Sequence, residues 1–174
     1  MKKNIRLFLL LIFACALTAC GWQLRGAPKN FPPGSTLYIT AEDPRSDIAE
    51  QLTRLLRNGG IPMAESPQLA DYVLTIHQET EQRRTVAVNA KGRVAEYELI
   101  TSALYSVADR DGRILLNNAE ADVYRALEWD DSETVSKGEE ELLLRAEMRR
   151  ELISRMIDRL RRIDIGATLE ERSY

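Results

Sequence analysis

The chain has 174 residues, with 24 Lys and Arg against 27 Asp and Glu, a formal net charge of −3 and a single His. This mildly acidic balance provides no global basic field to gather nucleic acid, so any anionic ligand must be met by local basic clusters. Its two cysteines, Cys15 and Cys20, both sit at the start. The remaining chain therefore has no thiol for a disulfide, a metal or a nucleophilic reaction, and its stability must come from a hydrophobic core.

The first residues have three parts. Lys2, Lys3 and Arg6 form a basic region, Leu7 to Ala16 carry no charge, and Leu17-Thr18-Ala19 place small residues directly before Cys20. The apolar run is about 10 residues, half of the ~20 that a helix needs to cross the hydrocarbon core. It reads as the core of a secretory signal, with residues 1–19 as leader. An ordinary export signal or a short N-terminal helix are the plainer alternatives. Leu-Thr-Ala-Cys matches the bacterial lipobox, in which the cysteine thiol takes a diacylglycerol and the freed amine a further acyl chain. Cys20 is thus the expected lipid anchor, and three chains exceed the two signals that stable anchoring needs. Gly21 stands where bacterial lipoproteins retained in the inner membrane usually carry Asp. The resemblance to that class therefore implies the outer membrane, on its periplasmic side.

Without the leader, about 155 residues remain, the size of one domain. Residues 20–35 form a tether rich in Pro and Gly towards its end. Thr36 to Ala41 is a short β-type run. Asp43 can cap a helix whose first position suits Pro44, with Ile48, Leu52, Leu55 and Leu56 at helical spacing. Gly59, Gly60 and Pro62 stop it. Tyr72, Leu74 and Ile76 then alternate with Val73, Thr75 and His77, in a strand extending through Val86 and Val88. Asn89-Ala90-Lys91-Gly92 is a hairpin turn, and Tyr97, Leu99, Thr101, Ala103, Tyr105 and Val107 line one face of the returning strand. Asp109-Arg110-Asp111-Gly112 is a second turn, leading into a strand over 115–127 with Ala119, Ala121 and Val123 in alternation.

The last element is a helix from about Ser136 to Ile163, with Leu152, Ile153, Met156, Ile157, Leu160 and Ile163 on one stripe. Glu141/Arg145, Glu151/Arg155 and Asp158/Arg162 stand at i, i+4 with the acid first. Residues 166–174 form a short polar tail after a domain over 36–165. The order β-α-β-β-β-α predicts an α+β fold: a two-layer sandwich, with a four-stranded mixed sheet and two helices packed on one face. The strands around 80–107 exceed what the core requires, so the turn near Asn89 to Arg93 should project beyond the sandwich.

Catalytic chemistry finds little support. His77 lies among apolar residues as packing or surface histidines do, and no phosphate loop, zinc-protease motif or nucleophile elbow occurs. The acidic runs Asp130-Asp131 and Glu139-Glu140-Glu141 suit a helix start, where they oppose the macrodipole, better than a calcium site, which needs more spaced oxygen ligands. The residues imply neither an enzyme, a metal nor a cofactor beyond the acyl groups on Cys20.

The segment Cys20-Gly21-Trp22-Gln23-Leu24-Arg25-Gly26, followed by the Pro-rich tether, resembles the start of the LPS-assembly lipoprotein family LptE, also called RlpB. Gly92-Arg93-Val94-Ala95-Glu96-Tyr97 is similar to that family's Gly-x-x-Ala-Glu-Tyr segment after the projecting hairpin. The Gly-Gly helix stop, the strand order and the long last helix agree along nearly the whole mature chain. The resemblance implies a plug in a 1:1 complex with the outer-membrane β-barrel LptD, assisting its assembly, binding lipopolysaccharide and helping deliver it to the surface without covalent chemistry.

The resemblance also implies a basic residue in each of two loops. In the loop before the last helix, Lys137 matches. In the hairpin, Ala90 stands at the family's basic position, between Asn89 and Lys91; either Lys91 and Arg93 now carry the charge, or this contact is missing. Lys91, Arg93 and Lys137 are thus the candidate lipopolysaccharide-binding residues, and each has a plainer reading as a solvated side chain. Arg83 and Arg84 are solvated strand residues or face acidic barrel loops, and Trp22 sits at the membrane interface or on the barrel wall. Two other readings remain open: an envelope adapter or transport-auxiliary lipoprotein that does not bind lipopolysaccharide, and a periplasmic hydrolase, which lacks a visible nucleophile.

Overall fold

In a computed structural model of the chain, the described residues are 34–163. Cys20, the leader, Trp22, most of the tether and the 166–174 tail lie outside them. Four strands, β1 (Leu37–Ala41), β2 (Tyr72–Val88), β3 (Val94–Asp109) and β4 (Ile114–Glu128), lie in the order β1-β2-β3-β4. β1 runs parallel to β2, and the other pairs are antiparallel. Helices α1 (Asp47–Asn58) and α2 (Thr134–Leu160) complete the expected α+β sandwich.

The core is the meeting of alternating strand faces with two helical stripes. Leu37, Leu74, Ile76, Leu99, Tyr105, Val107 and Val123 are buried in one cluster with Ile48, Leu52 and Leu56 of α1 and Met148, Leu152, Ile153 and Met156 of α2. Small Ala103, Ala119 and Ala121 belong to the same cluster, leaving room for the long side chains of α2. Burying each large aliphatic side chain stabilises the fold by about 1.5–3 kcal/mol. The free edge of β1 is covered from within the chain: Leu37 N–H donates to Pro62 O at 2.9 Å, and Ala64 N–H donates to Leu37 O at 2.9 Å. That contact occupies the edge at Leu37, where it would otherwise be open to pair with another strand.

α1 begins three residues later than Pro44 suggested. Ser46, not Asp43, is the N-cap, with its hydroxyl accepting from Ala49 N–H at 2.8 Å, while Asp43 instead binds Arg45 N–H in the preceding turn at 2.9 Å. Leu55, assigned to the apolar stripe, is 49% exposed; Ile48, Leu52 and Leu56 alone make the buried face. The helix ends where Gly59 and Gly60 said it would. Ile61 N–H returns to Leu56 O and Gly60 N–H to Arg57 O, with Gly60 at φ +86°, and Ile61 buries its side chain beside Leu56.

The two long hairpins use one turn design. Asn89 and Asp109 each accept two backbone N–H groups on a side-chain oxygen, from Lys91 and Arg93 and from Asp111 and Arg113. Gly92 and Gly112 supply the positive φ that closes each turn.

One register change has large consequences. Ile76 pairs with Tyr105 but Gln78 with Leu104, so His77 is an extra residue in β2. Unbroken alternation would put Gln78 and Thr80 on the helix side; the bulge puts Glu79, Glu81 and Arg83 there instead. His77 itself faces away from the helices, between Glu42 Oε1 at 3.0 Å and Ser106 Oγ at 2.9 Å.

α2 starts at Thr134 rather than Ser136, with no acidic residue in its first turn. The acidic run 139–141 is therefore in its second turn and does not serve the helix start. Asp130 caps the short 3-10 turn Asp131–Glu133. Of the three i, i+4 pairs, Glu141–Arg145 and Glu151–Arg155 form at 2.7 Å. Asp158 instead meets Arg161, at i, i+3 and 2.9 Å.

Candidate functional site: two basic loops at the end of the β arm

Beyond Gln78, β2 and β3 run on as a twisted arm whose β2 residues are mostly exposed. Its charged helix side is not loose. Arg83 Nη1 meets Glu141 Oε2 at 2.9 Å, Arg149 Nη2 meets Glu81 Oε1 at 2.9 Å, and Arg149 also reaches Asp47 at 3.4 Å. The arm is thereby tied to α2 by ion pairs that flank buried Leu99 and Leu127. Burial works against ionisation of Glu141, but Arg145 and Arg83 outweigh it and hold its carboxyl below the ordinary range.

Arg83 has a second task. Its guanidinium carbon lies 4.3 Å above the Tyr97 ring and 5.4 Å from that of Trp129. Those two rings meet edge-on at 5.2 Å. Arg83 is therefore an internal brace between arm and loop, while Arg84 pairs with Glu98 on the opposite face at 2.5 Å.

This brace sets the site. Trp129 N–H donates to Ala95 O at 2.9 Å, so the loop before α2 is an immediate neighbour of the strand leaving the hairpin turn. Trp129 Nε1 donates to Asp131 Oδ1 at 3.0 Å, and Asp130 accepts from Ser132 N–H at 2.8 Å and Ser132 Oγ at 2.7 Å. The Ser132 donors hold the Asp130 carboxyl below its usual range, helped by the charges of Lys137 and Arg93. Arg93, in the hairpin turn, and Lys137, in the first turn of α2 rather than in the loop before it, thus share the field of one carboxylate.

The three candidate cations differ in state. Lys91 and Arg93 are exposed at the tip, and among the described residues neither side chain has an ion-pair partner. Lys137 is only 18% exposed, with Nζ at 2.9 Å from Glu140 Oε2. That contact raises its pKa, aided by the charges of Glu140, Glu128 and Glu133. Exposed apolar groups accompany both loops: Val86 and Val88 before the hairpin turn, Val135 two residues before Lys137. The arrangement can receive an anionic group together with apolar chain. Among the described residues no cluster of His, Cys, Asp or Glu could hold a metal ion, and no helix is long and apolar enough to cross a membrane.

The resemblance pointed to a basic residue in each of two segments, but not to what joins them. Trp129 and Arg83 were visible as residues; their stacking with Tyr97 depends on the His77 bulge, which no local pattern announces.

Three curated relatives illustrate the likeness. The chain is 28% identical over 160 residues to the LPS-assembly lipoprotein LptE of Photorhabdus laumondii, covering 92% of this chain and 87% of that one. It is 24% identical over 170 residues to that of Pectobacterium atrosepticum, covering 96% and 91%. It is 27% identical over 101 residues to that of Yersinia enterocolitica, covering 58% and 49%. Among solved structures, an uncharacterized lipoprotein B of Nitrosomonas europaea superposes with a TM-score of 0.67 at 22% identity, over 79% of this chain and 88% of that one. The rare lipoprotein B of Shewanella oneidensis does so with 0.64 at 21%, over 80% and 99%. These structures share the fold. The family model described as LptE, lipopolysaccharide-assembly, matches residues 35–160, and the chain belongs to that family.

Proposed function

We propose that the chain is an outer-membrane lipoprotein, anchored through acylated Cys20 on the periplasmic side, that works inside the β-barrel LptD as a plug and lipopolysaccharide-binding component. It carries out no covalent step. The observation that carries this reading is the contact of the 129–133 loop with Ala95, just past the 89–93 turn, at the end of an ion-paired arm. Lys91 and Arg93, neither with an ion-pair partner among the described residues, stand there beside exposed Val86 and Val88. Lipopolysaccharide presents phosphates next to acyl chains, and guanidinium and ammonium groups beside apolar surface complement both.

The two basic loops have unequal parts. Lys91 and Arg93 meet the ligand first, and they take over the charge that Ala90 lacks. Lys137 contributes only when a phosphate displaces Glu140 from its ammonium. Lipopolysaccharide titration of the acylated chain in neutral detergent separates these roles. Reversal of both tip charges (Lys91→Glu with Arg93→Glu) should weaken binding about ten-fold, the loss of roughly 1.4 kcal/mol. Glu140→Gln should strengthen binding. Unchanged affinity in the tip variant would remove these residues from the site.

A further inference from the structure

At the opposite end of the sheet, where β4 begins and α2 ends, lies a cleft of ≈ 580 Å³. It is lined by aliphatic Ile114, Leu116 and Ile163 and by Arg159 and Arg162, and among the described residues no carboxylate lines it. Arg113, also at the rim, is held by Asp109 at 3.1 Å. Arg159 and Arg162 are exposed, and among the described residues neither has an ion-pair partner. Ile114 is 58% exposed beside them.

A second hollow of ≈ 300 Å³ shares Arg159 and Arg162 and reaches Tyr105. The Tyr105 side chain is fully buried, and among the described residues its hydroxyl has no hydrogen-bond partner. A buried hydroxyl left unpaired is destabilising, which marks a place where a ligand acceptor would be welcome. Glu120, Asp122 and Asp158 also line this second hollow. An anion shared by the two arginines is therefore confined to the Ile114 and Ile163 side.

We infer that this cleft is a second lipid site, which takes the phosphate of an anionic phospholipid between Arg159 and Arg162 and the start of its acyl chains on the aliphatic side chains. Two guanidinium forks fit phosphate oxygens in a way that a single lysine does not, and a zwitterionic headgroup would bring its own cation against them. The location agrees with this occupant. Leu37, the first residue of β1, pairs with Tyr72, and Tyr72 with Asp109. The chain leaving the tether therefore enters the fold at the same end as the cleft. Lipidation at Cys20 would hold that end near a membrane surface, while the 89–93 turn points the other way. The site is thus separate from the lipopolysaccharide contacts proposed at the tip.

The test uses the full acylated chain in a neutral maltoside detergent. Dihexanoylphosphatidylglycerol is titrated in, and amide chemical shifts are followed at residues 114–116 and 159–163. The expected result is saturable binding at those amides. It should be at least ten-fold weaker for dihexanoylphosphatidylcholine, for inorganic phosphate, and for the Arg159→Glu/Arg162→Glu variant. Ile163→Asn, which keeps the charges, should weaken the lipid but leave inorganic phosphate unchanged, and it serves if the double variant fails to fold. Arg93→Glu should change nothing here. Equal binding of inorganic phosphate would reduce the cleft to an adventitious anion site. Binding that survives both cleft variants, or that Arg93→Glu abolishes, would overturn the inference.

Discussion

Thr101 lies on the helix-facing side of β3, 1% exposed, and among the described residues its hydroxyl has no partner. Removing an orphaned hydroxyl while keeping the shape of the side chain relieves a desolvation penalty without opening a cavity. Thr101→Val is therefore expected to stabilise the fold by about 1 kcal/mol, read as a rise in melting temperature. A fall would mean that the hydroxyl is satisfied in solution. Glu79 argues in the same currency through pH. Burial pushes its carboxyl up, against hydrogen bonds from Ser46 and from the Ile48 backbone, and Asp43 and Asp47 push the same way as burial. A raised folded pKa gives stability that is complete below the ordinary carboxylate pKa and disappears as pH rises through the folded value. At neutral pH the ionised Glu79 is thus a liability. Glu79→Gln should be more stable than the parent at pH 7 and lose that advantage at pH 4, in paired denaturant titrations.

At the scale of elements, sequence periodicity carried most of the information. Two residue rules, one of alternation and one of helical spacing, placed all four strands and both helices, because each strand has one face towards a single core. The Gly-Gly stop of α1 was legible because only a residue tolerant of positive φ closes that motif. The start of α1 was not, since Asp43 and Ser46 are both good caps and the choice rests on the tertiary contact between Ser46 and Glu79. The His77 bulge was equally hidden, although it decides which charges meet α2. Those charges hold the arm. Glu141 accepts from both Arg145 and Arg83 with its side chain 15% exposed, so Glu141→Gln should destabilise the fold by about 2 kcal/mol. Its lowered pKa makes that contribution present above the ordinary carboxylate range and lost as pH falls through the folded value. The parent and variant should therefore converge in stability in acid. A constant difference across pH would show that packing, not charge, joins arm and helix.

Over the whole molecule, the fold has two chemically distinct ends joined by one core. The end where the tether enters carries Arg159 and Arg162 beside aliphatic side chains. The far end carries Lys91 and Arg93 on the hairpin turn and Lys137 on the first turn of α2, and Trp129, Tyr97 and Arg83 staple the two segments together. The candidate residues were readable as basic positions in loops, through a motif resemblance that located Lys137 and flagged the displaced charge around Ala90. Their unequal states were not readable. Glu140 neutralises Lys137 across one helical turn, whereas among the described residues the tip cations have no ion-pair partner, and only the three-dimensional placement of the acidic run distinguishes them.

The central claim is that this domain works as part of a barrel complex, and co-purification tests it most directly. The tagged, acylated chain is recovered from membranes in mild detergent, and its companions are identified by mass spectrometry with their stoichiometry. The expected companion is one near-stoichiometric outer-membrane barrel of LptD type. Recovery of the lipoprotein alone, or with an inner-membrane transporter, would contradict the plug and favour an adapter that does not handle lipopolysaccharide.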